Sequence, residues 1–374
     1  WDGDVGIGDG DGVAGSGVNV GGGEGGDVSA DDGGGVSGIS GVSAQTTLRS
    51  KPATPAPALS PKAQGQLHSI LHARDLIPAT IESESVSDCG TRKLLLRLND
   101  AQSIETVLIP QKTAHTTLCI STQIGCDRGC AFCATGTMGI IRNLSAAEMI
   151  SQVVIAIRVA RKASMPDITN IVFMGMGDAG RNIEAVGGTV ECLVDRLRLS
   201  MPQNKVTVST VGPSPEAFMQ LAQVPALLAW SLHSPDDAIR KLLVPSTRHT
   251  TVELRDGFLA ALLTRPARMR TLMIAFTLID GINDSPEDAQ EIADFVAPML
   301  LVAPKIVLNL IPYNDNGLGL KGVPFRRPSR ERVDAFQKVL RNGGYFCSVR
   351  MTRGDEEAAA CGMLATKRVK KELI

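Results

Sequence analysis

At 374 residues the chain has room for two or three ordinary domains, or for one large α/β domain with appendages. Aromatic residues make up only 3%, which argues against a surface that binds mainly by stacking flat rings, and no apolar run reaches membrane-spanning length. The net charge of −1 conceals an asymmetry: residues 1–48 hold eight acidic residues and no Lys or Arg, so the rest carries 38 basic against 31 acidic residues, a balance that suits an anionic partner and that many soluble enzymes share.

Residues 1–48 are roughly one third Gly and show no sustained apolar period. Glycine costs the most backbone entropy to order, and nothing here offsets that cost. Residues 49–65 contain Pro52, Pro55, Pro57 and Pro61. Residues 1–66 are therefore expected to be a disordered low-complexity segment with a Pro-rich linker. The stretch 67–115 reads as a small N-terminal extension: a short helix at 67–73, then strands at 93–98 and 103–109 joined by the turn Asn99-Asp100. In the second of these strands Glu105 points to the face opposite Ile104.

From Thr116 onward, strand and helix signals alternate. Strands are expected at 116–121, 169–174, 205–210, 226–231, 270–277 and 305–311, with helices at 145–163, 184–199, 214–223, 252–264 and 285–299. A last helix, 329–342, precedes a strand at 345–350. Ser145-Ala-Ala-Glu148 is a capping-box signature, and Pro286 sits where a helix start tolerates it. Repeated β-α units with apolar strands imply a parallel sheet covered by helices, and six such units can curve into a partial barrel over residues 116–344. The remainder, 345–374, contributes a strand, a loop carrying Cys361 and a basic tail. Ligands of such sheets gather at the C-terminal strand ends.

The chemistry-bearing stretch follows the first of these strands. Cys126-Asp-Arg-Gly-Cys130-Ala-Phe-Cys133 holds three cysteines at C-x-x-x-C-x-x-C spacing in a loop that can fold three thiolates together. Three thiolates hold three corners of a four-iron, four-sulfur cube and leave the fourth iron open to a small molecule. A structural zinc site would want a fourth ligand, usually as a second close pair, and none lies nearby. Polar groups recur after the later strands: Met174-Gly-Met-Gly177-Asp178, Ser209-Thr-Val-Gly212, Ser231-Leu232-His233 and Ile311-Pro-Tyr-Asn314. Each alone reads as a turn; together they suit one multifunctional polar ligand. Eight cysteines in a chain this long do not form a disulfide scaffold, so a reducing compartment is expected.

The cysteine spacing resembles that of the radical S-adenosylmethionine (SAM) enzymes. Thr117-Leu-Cys-Ile-Ser-Thr-Gln-Ile-Gly-Cys126, Gly175-Met-Gly-Asp178, Val206-Thr-Val-Ser-Thr210, Ser231-Leu-His233, Leu310-Ile-Pro-Tyr-Asn314, Val349-Arg-Met-Thr-Arg-Gly-Asp355 and Ala360-Cys361-Gly362 resemble, in order, the RlmN/Cfr family of RNA adenosine methyltransferases, and lie closer to its C2 than to its C8 enzymes. The resemblance implies an α/β radical SAM partial (β/α)6 barrel, a [4Fe-4S] cluster on Cys126, Cys130 and Cys133, and SAM contacts from Gly177, Asp178, Ser209, Ser231, Leu232, His233 and Asn314. It further implies that Cys361 takes a methyl group from one SAM, that a second SAM is split at the cluster to give a 5′-deoxyadenosyl radical, that Glu105 removes the ring proton, and that Cys119 releases the product by forming a disulfide with Cys361. The implied partners are ribosomal RNA, transfer RNA as a second substrate, and a one-electron donor such as flavodoxin or ferredoxin. A monomer is expected, in the cytoplasm or an organelle such as the plastid stroma.

Two departures from the family pattern stand out. The usual Gly-Glu-Pro is Gly177-Asp178-Ala179 here, with a carboxylate one methylene shorter, and the small helical domain before the barrel is absent or degraded. C8 methylation and a catalytically impaired, cluster-containing RNA-binding relative therefore stay open as alternatives. Late basic residues (Arg326, Arg327, Arg330, Arg332, Lys367, Arg368, Lys370 and Lys371) either track phosphates or form a solvated face and tail.

Overall fold

The computed structural model describes residues 77–320, 322–350 and 362–364; the expected linker, the helix at 67–73, Cys361 and the tail from Lys367 fall outside the described residues. Three antiparallel strands come first: β1 (Ala79–Val86), β2 (Arg92–Leu98) and β3 (Ser103–Pro110). Then follow β4 (Thr116–Cys119), a short ribbon of β5 (Gln123–Gly125) and β6 (Ile140–Asn143), α1 (Ala146–Lys162), β7 (Ile168–Phe173), α2 (Ile183–Val194), β8 (Val206–Thr210), α3 (Pro215–Leu221) and β9 (Leu227–Ser231). The chain continues through α4 (Asp237–Leu243), α5 (Thr251–Leu263), β10 (Leu272–Leu278), α6 (Pro286–Val296), β11 (Ile306–Pro312), the hairpin β12 (Gly319–Leu320) and β13 (Val323–Pro324), α7 (Arg330–Asn342) and β14 (Phe346–Val349).

Ten strands form one mixed sheet in the order β1-β2-β3-β4-β7-β8-β9-β10-β11-β14. Pairing is antiparallel from β1 to β4 and parallel from β4 to β14. From residue 77 onward the expected strands and helices are present, with shifted ends. The helix expected to reach residue 199 stops at Val194, because the Asp195 side chain accepts the Leu197 amide at 2.7 Å and closes a turn that competes with the helix. Both expected N-terminal signals appear: a reciprocal capping box of Ser145 and Glu148, and Pro286 in the first turn of α6. Among the described residues no helix is long and apolar enough to cross a membrane.

Register gives the sheet two unlike faces. Residues directly opposite on neighbouring strands share a face, and so do residues two apart on one strand. One face carries Val208, Leu228, Trp230, Ile274, Phe276, Leu308 and Leu310, each at most 2% exposed. Trp230 meets Phe218 of α3, Phe258 of α5 and Phe295 of α6 at ring-centroid distances of 5.6, 6.0 and 6.1 Å, so this face lies under the helices. Burying each such ring stabilises the fold by about 1.5–3 kcal/mol. Following the pairs Val107↔Cys119↔Val172↔Thr207 and Ser209↔Ala229, Ser231↔Ala275↔Asn309 puts Glu105, Cys119, Ser209, Ser231, Thr277 and Asn309 on the opposite face.

Candidate active site

That opposite face floors an open cleft at the C-terminal ends of the parallel strands. The cysteine loop forms one wall. Gly125 precedes it with φ +75°, and a Cβ there would sit 1.9 Å from the Gly139 carbonyl oxygen, so only glycine lets the chain pass. The Cys126 amide then donates to that same carbonyl at 2.8 Å, pinning the loop against the β5–β6 ribbon. Asp127 accepts from Arg128 and from Arg181, each at 2.9 Å, and so fixes the loop's outer side. Cys126, Cys130 and Cys133 all line the cleft.

Burial pushes the Cys126 thiol up to about 12, with the charges of Asp178, Cys133 and Asp127 adding to it; burial likewise raises Cys130 well above the ordinary thiol range. Such thiols ionise only when a cation takes the place of the proton. Among the described residues no group of three or more His, Cys, Asp or Glu converges tightly enough for a single metal ion. A cube differs, since each thiolate ligates its own iron. Three cysteines on one wall therefore suit a cluster.

The strand ends form the other walls. Gly177 has φ +96°, and a Cβ there would meet Gln123 Cβ at 2.6 Å. This close passage brings Asp178 under the cleft, where its amide donates to Gln123 Oε1 at 3.0 Å. The Asp178 carboxylate is buried; Oδ1 accepts the Gly180 amide at 3.1 Å, and Oδ2 has no hydrogen-bond partner. Burial raises its pKa, opposed by the nearby Thr210 hydroxyl, the Gly180 amide and the Arg128 charge. A buried carboxylate oxygen without a hydrogen-bond partner, on a residue that lines the cleft, suits a cationic ligand group. The Ser209 and Ser231 hydroxyls lie 3.3 Å apart on adjacent strands. His233 is left-handed at φ +67°; its Nδ1 accepts the Thr277 amide at 3.1 Å, which leaves the ring proton on Nε2. Burial, helped by the Arg240 charge, lowers the His233 pKa to about 3, so the ring is neutral. Asn314 lines the cleft near Tyr313.

Nine of the thirteen sequence-derived site residues thus line one cleft: the three cysteines with Gly177, Asp178, Ser209, Ser231, His233 and Asn314. Leu232 faces the core, and its carbonyl accepts from Arg240. Glu105 is 5% exposed, pairs with Lys93 at 3.3 Å, and shares the cleft's sheet face with Cys119 without lining the cleft. Cys361 lies outside the described residues; Gly362, bonded to it, lines the cleft. Sequence reasoning missed Arg128, Asn309 and Arg350, which also line it. Asn309, a polar residue inside an apolar strand, was a readable signal. Arg240 was missed too: fully buried, it donates to the Val211, Ser231 and Leu232 carbonyls and ties the ends of β8 and β9 together.

The chain is 39% identical over 313 residues to the dual-specificity RNA methyltransferase RlmN of Marinobacter nauticus, covering 82% of this chain and 80% of the relative. It is 36% identical to the like-named protein of a Ruegeria species over 79% of this chain and 74% of the relative, and 37% identical to that of Francisella tularensis over 78% and 77%. A crystal structure of a radical SAM methyltransferase from Sphaerobacter thermophilus superposes with a TM-score of 0.70 at 39% identity, covering 81% of this chain and 86% of that one. No family model matches the chain. The fold is thus that of a radical SAM methyltransferase, an enzyme with a large mixed α/β sheet. Within that class, the chain belongs to the RlmN family.

Proposed function

We propose that this enzyme methylates adenosine at C2 in large-subunit ribosomal RNA, and also in transfer RNA, with SAM as methyl source and one [4Fe-4S] cluster. The observation that supports the reading is the meeting, in one cleft, of three cysteines with a buried carboxylate, one of whose oxygens has no hydrogen-bond partner. Kinship with relatives named dual-specificity RNA methyltransferases supports the substrate class. Residues 116–344 are read as a partial (β/α)6 barrel whose six units begin at β4, with residues 67–115 as an N-terminal extension and 345–374 as a C-terminal segment.

Cys126, Cys130 and Cys133 would hold the cluster, which when bound supplies the electron that splits SAM. Asp178 would accept hydrogen bonds from the amino group of SAM's methionine portion, its orphaned Oδ2 providing the site. Ser209, Ser231 and Asn314 would hydrogen-bond the remaining polar groups, with Gly177 giving close backbone approach; Leu232, whose amide and carbonyl are taken by Ala275 and Arg240, would only shape the floor behind them. His233, neutral and protonated on Nε2, would act as a donor that does not titrate near neutral pH. Cys361 would accept the methyl group as a thioether. Glu105 would take the proton from the ring carbon, held ready by Lys93. Cys119 would close a disulfide with Cys361 as product leaves, which a cellular reductant must reopen. A flavodoxin or ferredoxin in a reducing compartment would serve as electron donor.

The test is to react the anaerobically reconstituted enzyme with ribosomal and transfer RNA, digest the RNA, and separate the nucleosides. The expected product is 2-methyladenosine. 8-Methyladenosine, or unmodified adenosine with both RNAs, contradicts the proposal.

A further inference from the structure

Asn316, just past β11, uses its side chain to the full. Its Nδ2 donates to the Phe132 carbonyl at 2.9 Å and to the Gly362 carbonyl at 3.0 Å, partners 184 and 46 residues away in the chain. Its Oδ1 accepts from the Leu318 amide at 3.1 Å and from the Tyr313 hydroxyl. A side-chain amide has two donors and an oxygen with two lone pairs, so nothing is left unused. The support is itself fixed, since Tyr313 is 2% exposed and packs edge-on against Phe325 at 5.8 Å.

The two carbonyls belong to segments with chemistry in them. Phe132 lies between Cys130 and Cys133, and Gly362 is bonded to Cys361. Two more bonds run along the same seam: the Ala134 amide donates to the Gly362 carbonyl at 2.8 Å, and the Thr135 hydroxyl to the Leu364 carbonyl at 3.5 Å. The two segments lie side by side, since a Cβ on Gly362 would sit at van der Waals distance, 3.5 Å, from the Phe132 carbonyl oxygen.

We infer that Asn316 is a positioning residue that staples the turn following Cys361 to the loop carrying Cys130 and Cys133. The inference rests on the role given to Cys361 above. Asn316 acts through Gly362 and touches no reacting atom. Only a neutral amide serves at this place: Asp keeps the shape but brings acceptors to two carbonyls, and Ala leaves both carbonyls without the bond.

The test compares the parent holoenzyme with N316A and N316D. After mild reduction each is treated with iodoacetamide, and labelling of Cys361 is followed by peptide mass spectrometry against exposed Cys89 as internal reference. Loss of the bond to the Gly362 carbonyl, together with its counterpart to the Phe132 carbonyl, should speed Cys361 labelling about tenfold relative to Cys89. Methyl uptake from SAM by Cys361 should fall by about tenfold or more, as expected for a misplaced reacting group, with iron content and SAM affinity unchanged. Equal labelling of Cys361 in all three proteins overturns the inference. In the unaltered enzyme the Ala134 amide should resist hydrogen exchange, and exchange at open-loop rates overturns it without any variant having to fold. If the parent's Cys361 takes no methyl group yet labelling still separates the variants, the reaction reading fails and the staple stands.

Discussion

Replacing Asp178 by Asn separates what the residue does for the fold from what it does for the ligand. The carboxylate is buried, one of its oxygens has no partner, and burial raises its pKa above 3.8. A raised carboxyl pKa means that ionisation is disfavoured in the folded state. The folded enzyme is therefore relieved of this cost below about pH 3.8 and bears it increasingly as pH rises through the raised pKa. Asn keeps the shape and the Gly180 bond to Oδ1, and exchanges a charged orphan for a neutral one. Without SAM the variant should gain about 1 kcal/mol, or about 2–4 °C in melting temperature, at neutral pH. The gain should fade as pH falls toward 3.8. With SAM the balance reverses. A hydrogen bond between charged groups contributes about 1.5–3 kcal/mol, so SAM should bind roughly tenfold to 150-fold more weakly. Melting curves of the reconstituted enzyme from pH 4 to 8 and anaerobic SAM titration read both effects. A D178N enzyme that melts below the parent without SAM and binds SAM within threefold refutes the reasoning.

Two more outcomes follow from the same site. Because burial holds the His233 pKa near 3, the unfolded chain takes up a proton below about pH 6.5 that the folded chain refuses; stability present above that pH is lost as pH falls, by about 2 kcal/mol at pH 5. H233Q should therefore show a shallower loss between pH 7 and 5 in urea titrations, and an identical slope would contradict the assignment of a neutral ring. Alanine at Cys126, Cys130 or Cys133 should each abolish iron uptake on anaerobic reconstitution, whereas alanine at Cys192, which does not line the cleft, should leave the parent's iron content.

The layout of the chain from Thr116 onward was legible because period and punctuation agreed. Apolar strands alternated with amphipathic helices, and Ser145 and Pro286 marked helix starts that the structure keeps. The cysteine loop was legible because spacing along the chain limits how far apart three thiols can lie. β1 was not, since its residues Ala79–Val86 are mostly exposed and polar, as suits an edge that Glu82 and Glu84 guard against further pairing. The β5–β6 ribbon was too short to give a period, with three residues in one strand and four in the other. Arg240 and Asn316 were invisible for another reason: their roles consist of bonds to carbonyls distant in sequence, which a local reading of side chains does not show.

The most direct measurement uses reconstituted enzyme, reductant and SAM carrying a labelled methyl group, with intact-mass and peptide analysis beside chromatography of the small molecules. The expected result is one labelled methyl group on Cys361 and release of 5′-deoxyadenosine that depends on Cys126, Cys130 and Cys133. An unlabelled Cys361 with intact SAM, in enzyme that has taken up its iron, would contradict it.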